Sequence, residues 1–292
     1  MVKRRLKIIL LIIAIIIIGG VILDLSSNKE GIHGSIARFV LSLRILQPYE
    51  NCPWDQCVPA TFDFCEENRC GWVAQPANTW SNIAFVIAGI YLIIRYWKDK
   101  WAPIKHLPII LIFLGISSGL YHASCIFTFQ AADLSSMFLC SVLFLTLNLR
   151  RLNIINKHQI YLFFWGLTIS SIVILAVFHK FGRLAFTIQV VSVIITEFMI
   201  FHAKAKNIQF FSYYKEMLLG LGSFLIGYIV WILDLKQLIT SPENHYFQGH
   251  ALWHVFCALS LVFFYRFYNR FNIPPAKHTF ISQKDVLSER IH

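Results

Sequence analysis

The feature that most constrains this chain is a series of long apolar blocks. Seven of them cover 79–97, 107–125, 131–149, 160–178, 184–202, 215–235 and 250–268, and an eighth precedes them at 8–23. These lengths are near the about 20 residues that a helix needs to cross a bilayer. Only 14% of the residues are charged, where a soluble domain has roughly 25%. The blocks predict an all-α integral membrane protein with eight spans, a seven-helix bundle and an extra N-terminal transmembrane anchor.

The beginning of the chain allows two interpretations. Lys3, Arg4, Arg5 and Lys7 precede the first apolar run. This pattern is typical of either an uncleaved anchor or a secretory signal peptide. The run is long for a signal peptide and no A-x-A-like cleavage site follows it, so we favour the anchor.

The remaining composition suggests a simple division of the chain. We expect an anchor (or signal peptide) over 1–23, an external segment over 24–77, a seven-helix core over 78–270 and a cytoplasmic tail over 271–292.

The positive charges predict the orientation. If the amino terminus is cytoplasmic, 19 of the 26 Lys and Arg residues fall in cytoplasmic segments and 7 in external ones. This asymmetry is the positive-inside pattern, and it predicts that both termini are cytoplasmic. The net charge of +11 is thereby explained by topology, without a nucleic-acid partner. The Ile-, Phe- and Lys-rich composition indicates a bacterial protein, hence a bacterial inner membrane.

Four cysteines cluster in the external segment, namely Cys52, Cys57, Cys65 and Cys70. An external location favours two disulfides, and four cysteines allow three pairings. The alternative is a four-cysteine zinc site, but the spacings are not those of C-x-x-C pairs.

Five polar residues stand in or beside the apolar blocks, where polar groups are costly. Ser118 and His122 are four apart near the end of the second block. Asp133 begins the third block, and His250 and His254, also four apart, open the seventh. Residues four apart share a helix face. With alternating spans all five lie at similar depth near the external face, which predicts one site.

These residue types suggest metal-assisted hydrolysis. Three neutral histidines leave one of the four zinc positions for water, which is typical of catalytic sites, and zinc lowers the pKa of that water towards 7. Asp133 would move its proton, and Ser118 would donate a hydrogen bond to a developing oxyanion. A site among apolar helices implies a lipid substrate with an amide or ester bond. The alternative is that each histidine only forms interfacial hydrogen bonds.

Two further acids lie within the apolar blocks. Asp234 is near the external end of the sixth block, where it would orient a ligand histidine or pair with Lys236. Glu197 is nearer the cytoplasmic end of the fifth block, so we expect a structural hydrogen bond there.

These residues resemble the alkaline ceramidase family and its wider superfamily of seven-helix hydrolases. The resemblance lies in the spacings of Ser118, His122 and Asp133 and in the His250–His254 pair. Trp231, Asp234 and the Asn-Thr-Trp-Ser-Asn stretch at 78–82 extend it, and it covers about 61–270. The resemblance implies zinc held by the three histidines, water activated by Asp133 and an oxyanion steadied by Ser118.

The resemblance also implies a calcium site before the first span of the core. Its Asp-x-x-Glu-x-Asn pattern matches Asp63, Glu66 and Asn68, and the Phe64 carbonyl would be a further ligand. Oxygen ligands on a short loop suit calcium. The last ligand of the family, a glutamate, is Gln75 here, and fewer negative ligands should weaken binding. The alternative is an acidic external loop held by disulfides.

The sequence thus predicts a zinc-dependent hydrolase that cleaves the amide bond of ceramide or a similar N-acyl lipid. One alternative is an ester lipase that remodels phospholipids, because the same superfamily includes such enzymes. Another is a lipid-binding, receptor-like membrane protein without catalysis.

Overall fold

A computed structural model describes residues 52–54, 57–96, 98, 102–178, 181–204 and 210–271. All the regular elements in these ranges are helices. They are α1 (Pro76–Ser81), α2 (Ile83–Tyr96), a 3₁₀ turn (Pro103–His106), α3 (Leu107–Ser124), α4 (Phe127–Arg151), α5 (Gln159–Val177), α6 (Gly182–Lys204), α7 (Phe210–Leu235) and α8 (Gly249–Asn269). The predicted anchor at 1–23 and the tail from 272 onwards lie outside the described residues.

Seven segments of the described chain are long and apolar enough to cross a membrane, which confirms the predicted seven-helix core. α1 and α2 together make the first, and α3 to α8 supply the rest. Large apolar side chains remain exposed on the outer surface, for example Ile94 (74%), Leu162 (76%) and Phe198 (63%). Lipid tails would cover such a surface, and helices satisfy their own backbone groups within a bilayer. The protein is therefore a multi-pass integral membrane protein.

The helices close into a bundle around α4, which is the most buried of the seven spans. α4 packs against α3, α5 and α6, and α8 packs against both α7 and α2, so the last span meets the first. Buried polar side chains link α4 to its neighbours. The Ser141 hydroxyl donates to Gln189 Oε1 at 2.5 Å, and the Gln189 amide donates to the Ser171 hydroxyl at 2.7 Å. Such hydrogen bonds between helices stabilise membrane bundles.

α3 and α4 are joined by a tight turn at the end of the bundle that carries the predicted site. Cys125 ends α3 in the left-handed region (φ 52°), and Ile126 is extended before α4 begins. Consequently α4 starts at Phe127, four residues before the apolar block suggested. The turn places His122 and Asp133 on adjacent helices at the same end.

The opposite end of α4 carries a buried ion pair. Both Arg151 guanidinium nitrogens Nη1 and Nη2 bond the Glu197 carboxylate, and the Nη2–Oε1 distance is 3.1 Å. The Tyr268 hydroxyl adds a bond of 2.9 Å to Asn148 beside it. Arg151 lies 18 residues after Asp133, which is roughly 27 Å along a helix. Glu197 therefore has the structural role expected from its position.

The segment before α1 contains one of the two expected disulfides, Cys52–Cys70. The second is wrong for this structure, because Cys57 and Cys65 are free thiols. Cys65 is buried, with its sulfur 3.7 Å from the Thr240 hydroxyl, and burial raises the pKa of its thiol. Its side chain packs against the loop before α8.

We expect Gly249→Ala to lower the thermal stability of the protein. A Cβ at Gly249 would lie 2.6 Å from Asp234 Cβ and 2.9 Å from the Val230 carbonyl oxygen, so α7 and α8 would have to separate. Overpacking of this kind costs about 1–3 kcal/mol. The control is Gly222→Ala in α7, where a Cβ has open space. Thermal unfolding in detergent measures both, and equal midpoints for the two variants would contradict the close approach.

Candidate metal centre

Three histidines from two helices meet at one end of the bundle. His122 comes from the last turn of α3, and His250 and His254 come from the first turns of α8. One nitrogen from each ring lies within 4.8 Å of the others, and all three side chains are buried. The Nε2 atoms of His122 and His250 are 3.3 Å apart. The structure thus brings together the three histidines singled out in the sequence.

Hydrogen bonds hold two of the rings so that their Nε2 atoms are available. His122 Nδ1 is 2.8 Å from Gln75 Oε1, and His254 Nδ1 is 2.8 Å from the Ser81 hydroxyl. Gln75 and Ser81 act as acceptors, because the Gln75 amide NH₂ donates to Asn68 and the Ser81 hydroxyl donates to the Asn78 carbonyl. Each Nδ1 therefore carries the proton. Partners of this kind fix the tautomer of metal-binding histidines.

His250 differs from the other two histidines. Its buried Nδ1 has no hydrogen-bond partner among the described residues. Its backbone, however, is held firmly, because its N–H donates to Asp234 Oδ2 at 3.0 Å. Asp234 Oδ1 accepts from the Gly249 N–H at 2.9 Å and from the Thr240 hydroxyl. Asp234 thus orients a ligand histidine through the start of α8, which agrees with the first of its two expected roles.

Ser118 and Asp133 form a pair one helical turn from His122. The Ser118 hydroxyl lies close enough to the Asp133 carboxylate, across the α3–α4 interface, to interact with it. The backbone carbonyl of Asp133 accepts from Ser136 at 2.5 Å, and Ser136 in turn accepts from Ser117 at 3.4 Å. A short polar strip therefore runs along the α3–α4 interface.

Glu66, predicted as a calcium ligand, caps the first helix of the bundle. Its buried carboxylate accepts the N–H groups of Ala77 and Asn78, both at 2.9 Å. His245 Nδ1 lies 3.2 Å from the same carboxylate. Burial raises the pKa of Glu66, and the two backbone N–H groups act in the opposite direction. Glu66 thus positions α1, which carries Ser81.

The other predicted calcium ligands lie in the same segment. Asp63 and Asn68 are exposed. Asn68 Oδ1 accepts from the Gln75 amide at 2.8 Å and from the Cys125 thiol at 3.2 Å. Calcium would have to replace these hydrogen bonds and those of Glu66. The donor set as arranged does not fit the ion, and calcium binding stays a prediction.

Aromatic rings of the external segment cover the histidines. The Phe64 ring lies 4.7 Å from the His122 ring and 4.2 Å from the His250 ring, measured between centroids. Phe62 lies 4.8 Å from Phe64, and the Arg183 guanidinium stacks 4.3 Å above the Phe62 ring. The Phe64 ring thus lies against the candidate site, whereas the sequence predicted only its carbonyl, as a ligand of calcium.

Backbone hydrogen bonds fix this cover to the bundle. The Ala74 and Gln75 N–H groups donate to the Ala123 and His122 carbonyls at 2.8 and 3.1 Å. The Ala60 N–H donates to the Cys125 carbonyl at 3.0 Å. The external segment is therefore part of the site and packs over its open end.

The sequence did not predict that Gln75 and Ser81 hold the rings of His122 and His254. Ser81 belongs to the Asn-Thr-Trp-Ser-Asn stretch that carried part of the family resemblance, so a signal for it existed. The sequence indicates Gln75 only as a weak calcium ligand. Its contact with His122 depends on how the segment before α1 folds against α3.

The donor set fits zinc. Three buried imidazoles converge, and two of them present Nε2 with Nδ1 hydrogen-bonded. Nitrogen ligands of this number are typical of catalytic zinc sites. The fold and this site define a class, namely multi-pass membrane proteins with a candidate metal centre inside a seven-helix bundle.

The family model described as Ceramidase matches residues 56–281. The chain therefore belongs to the ceramidase family, and the resemblance to the alkaline ceramidases is confirmed. It is also 24% identical over 243 residues to alkaline ceramidase YPC1 of Saccharomyces cerevisiae, covering 70% of this chain and 74% of the yeast protein.

Proposed function

We propose that this protein is a zinc-dependent hydrolase that cleaves the amide bond of ceramide or a similar N-acyl lipid. The observation that carries the proposal is the convergence of three buried histidines beside a Ser118–Asp133 pair. Membership of the ceramidase family and the similarity to a yeast alkaline ceramidase support the amide as the bond that is cleaved.

Zinc bound by His122, His250 and His254 would supply Lewis-acid chemistry, which activates water and polarises a carbonyl oxygen. The protein contributes the proton transfers. Asp133 accepts a proton from the attacking water and delivers it to the amide nitrogen as the C–N bond breaks. Water thus adds its oxygen to the acyl carbon, and the products are a fatty acid and an amine.

Ser118 has two tasks in this scheme. In the structure its hydroxyl is close enough to the Asp133 carboxylate to interact with it. A rotation about its Cα–Cβ bond would turn the same hydroxyl to the carbonyl oxygen of the substrate, where negative charge develops. The hydroxyl has a single proton, so it serves one acceptor at a time.

We further propose that the site faces the external side of a bacterial inner membrane, with both termini cytoplasmic. The distribution of Lys and Arg residues supports this orientation. The site lies at the end of the bundle where the disulfide-bearing segment packs, and disulfides form in oxidising compartments.

The test is hydrolysis of matched lipids by the purified, zinc-loaded protein. A ceramide and an ester with the same acyl chain are incubated in detergent, and the released fatty acid is measured by mass spectrometry. We expect cleavage of the amide, which chelator treatment abolishes. Cleavage of the ester alone would replace the proposal with an ester lipase, and binding without cleavage of either would indicate a receptor-like protein.

A further inference from the structure

The aromatic wall beside His250 contains a buried donor without an acceptor. Trp231 of α7 has a buried Nε1, and no hydrogen-bond partner for it exists among the described residues. A buried polar group in this state is destabilising, and native proteins rarely leave one without a function. The indole N–H therefore calls for an acceptor from outside the described residues.

The position of Trp231 indicates where that acceptor comes from. Its ring lies 5.7 Å from the His250 ring and 5.4 Å from the Trp253 ring, measured between centroids. Phe62, from the segment that covers the site, is 6.2 Å away on another side. Trp231 thus lies in the wall of the candidate metal centre, and its ring is adjacent to the ring of His250.

His250 strengthens the same argument. Its Nε2 faces His122, so its Nδ1 carries the proton in the tautomer that binds metal. This Nδ1 also has no partner, whereas the corresponding atoms of His122 and His254 are both bonded. Two donors without acceptors among the described residues therefore belong to neighbouring rings, those of Trp231 and His250.

We propose that Trp231 is a substrate-binding residue whose indole N–H donates a hydrogen bond to an uncharged oxygen of the N-acyl lipid. This oxygen is either the carbonyl of the scissile amide or a hydroxyl on the amine half of the lipid. The inference rests on the proposed function, since it concerns the substrate of that same site. The bond would position the amide relative to His250 and select lipids that carry an acceptor there.

The experiment compares the wild type, Trp231→Phe and a control, Trp165→Phe. Phenylalanine keeps an aromatic ring at residue 231, removes the N–H donor and is smaller than the indole; Trp165→Phe makes the same change in ring size. Trp165 of α5 is 52% exposed on the outer surface, away from the site. Each protein is assayed for zinc content and for kcat and KM on an N-acyl amino alcohol and on its deoxy analogue, which lacks the hydroxyl.

We expect Trp231→Phe to keep its zinc and to lose about three- to tenfold in kcat/KM, the effect of one neutral hydrogen bond. A loss on the hydroxylated lipid alone assigns the hydroxyl as acceptor, and an equal loss on both lipids assigns the carbonyl. Kinetics within twofold of the wild type on both lipids would overturn the proposal, as would an equal loss in Trp165→Phe.

A binding measurement keeps the test decisive if turnover or zinc is lost. The affinity of metal-depleted wild type and Trp231→Phe for the two lipids is measured with labelled lipid. Weaker binding by the variant supports the proposal, and equal binding contradicts it. Failure of the wild type to cleave either lipid would remove the proposed function, while this binding comparison would still decide the role of Trp231.

Discussion

Replacing His250 with alanine should remove the metal and abolish hydrolysis. His250 is one of the three candidate ligands that the described residues supply, and the remaining two imidazoles would bind zinc far more weakly. Lewis-acid catalysis supplies several kcal/mol of transition-state stabilisation. We therefore expect zinc content to fall from about one per chain to near zero and the rate of hydrolysis to fall about a thousandfold or more.

The measurement is metal content by mass spectrometry on detergent-purified protein, together with the rate of fatty-acid release. His202→Ala is the matched control, because His202 is an exposed histidine near the end of α6, and zinc and activity should be unchanged. The backbone N–H of residue 250 remains in the alanine variant, so the bond to Asp234 and the start of α8 should persist. Full zinc content in His250→Ala would remove this residue from the metal site.

Asp133→Asn should give the second-largest effect, with the metal retained. The amide has nearly the shape of the carboxylate and keeps an acceptor for the Ser118 hydroxyl, but it cannot take a proton from water. General acid–base catalysis contributes typically 10²- to 10⁴-fold. We expect kcat to fall within about that range while zinc content and KM stay near those of the wild type.

A double variant separates the roles of Ser118 and Asp133. Because the two side chains are close enough to interact and are proposed to act together, Ser118→Ala should cost much less in the Asp133→Asn background than in the wild type. Glu216→Gln is the control for the change from carboxylate to amide, since Glu216 pairs with Arg266 on α7 and α8 outside the site. Wild-type kcat in Asp133→Asn would exclude Asp133 as the residue that moves the proton.

The two experiments answer different questions. The histidine variant tests whether a metal is held, and the aspartate variant tests whether the held metal is used for proton-coupled hydrolysis. A protein that binds zinc through the three histidines and is unaffected by Asp133→Asn would fit a receptor-like protein better than a hydrolase.

Much of the fold was determined by local sequence. Apolar length fixes the number of spans, because a bilayer requires a continuous helix with its backbone bonded internally. The five site residues were also evident locally. The four-residue spacing of Ser118 and His122, and of His250 and His254, fixes a shared helix face, and alternating spans fix a shared depth.

Only the tertiary structure decided what surrounds the histidines. Gln75 reaches His122 across 47 residues, and Ser81 reaches His254 across 173 residues. No periodicity encodes such pairs, since they depend on how the external segment folds back over the bundle. For the same reason the cysteines formed one disulfide rather than two, and Glu66 capped a helix.

The sequence by itself therefore determined the membrane class, the seven described spans and the three histidines of the candidate metal centre. The tertiary structure decided the tautomers, the aromatic cover and the two donors without acceptors at Trp231 and His250. The physical reason is that spans and helix faces follow from interactions within one helix and its solvent. Hydrogen-bond partners follow from packing between segments that are distant in the chain.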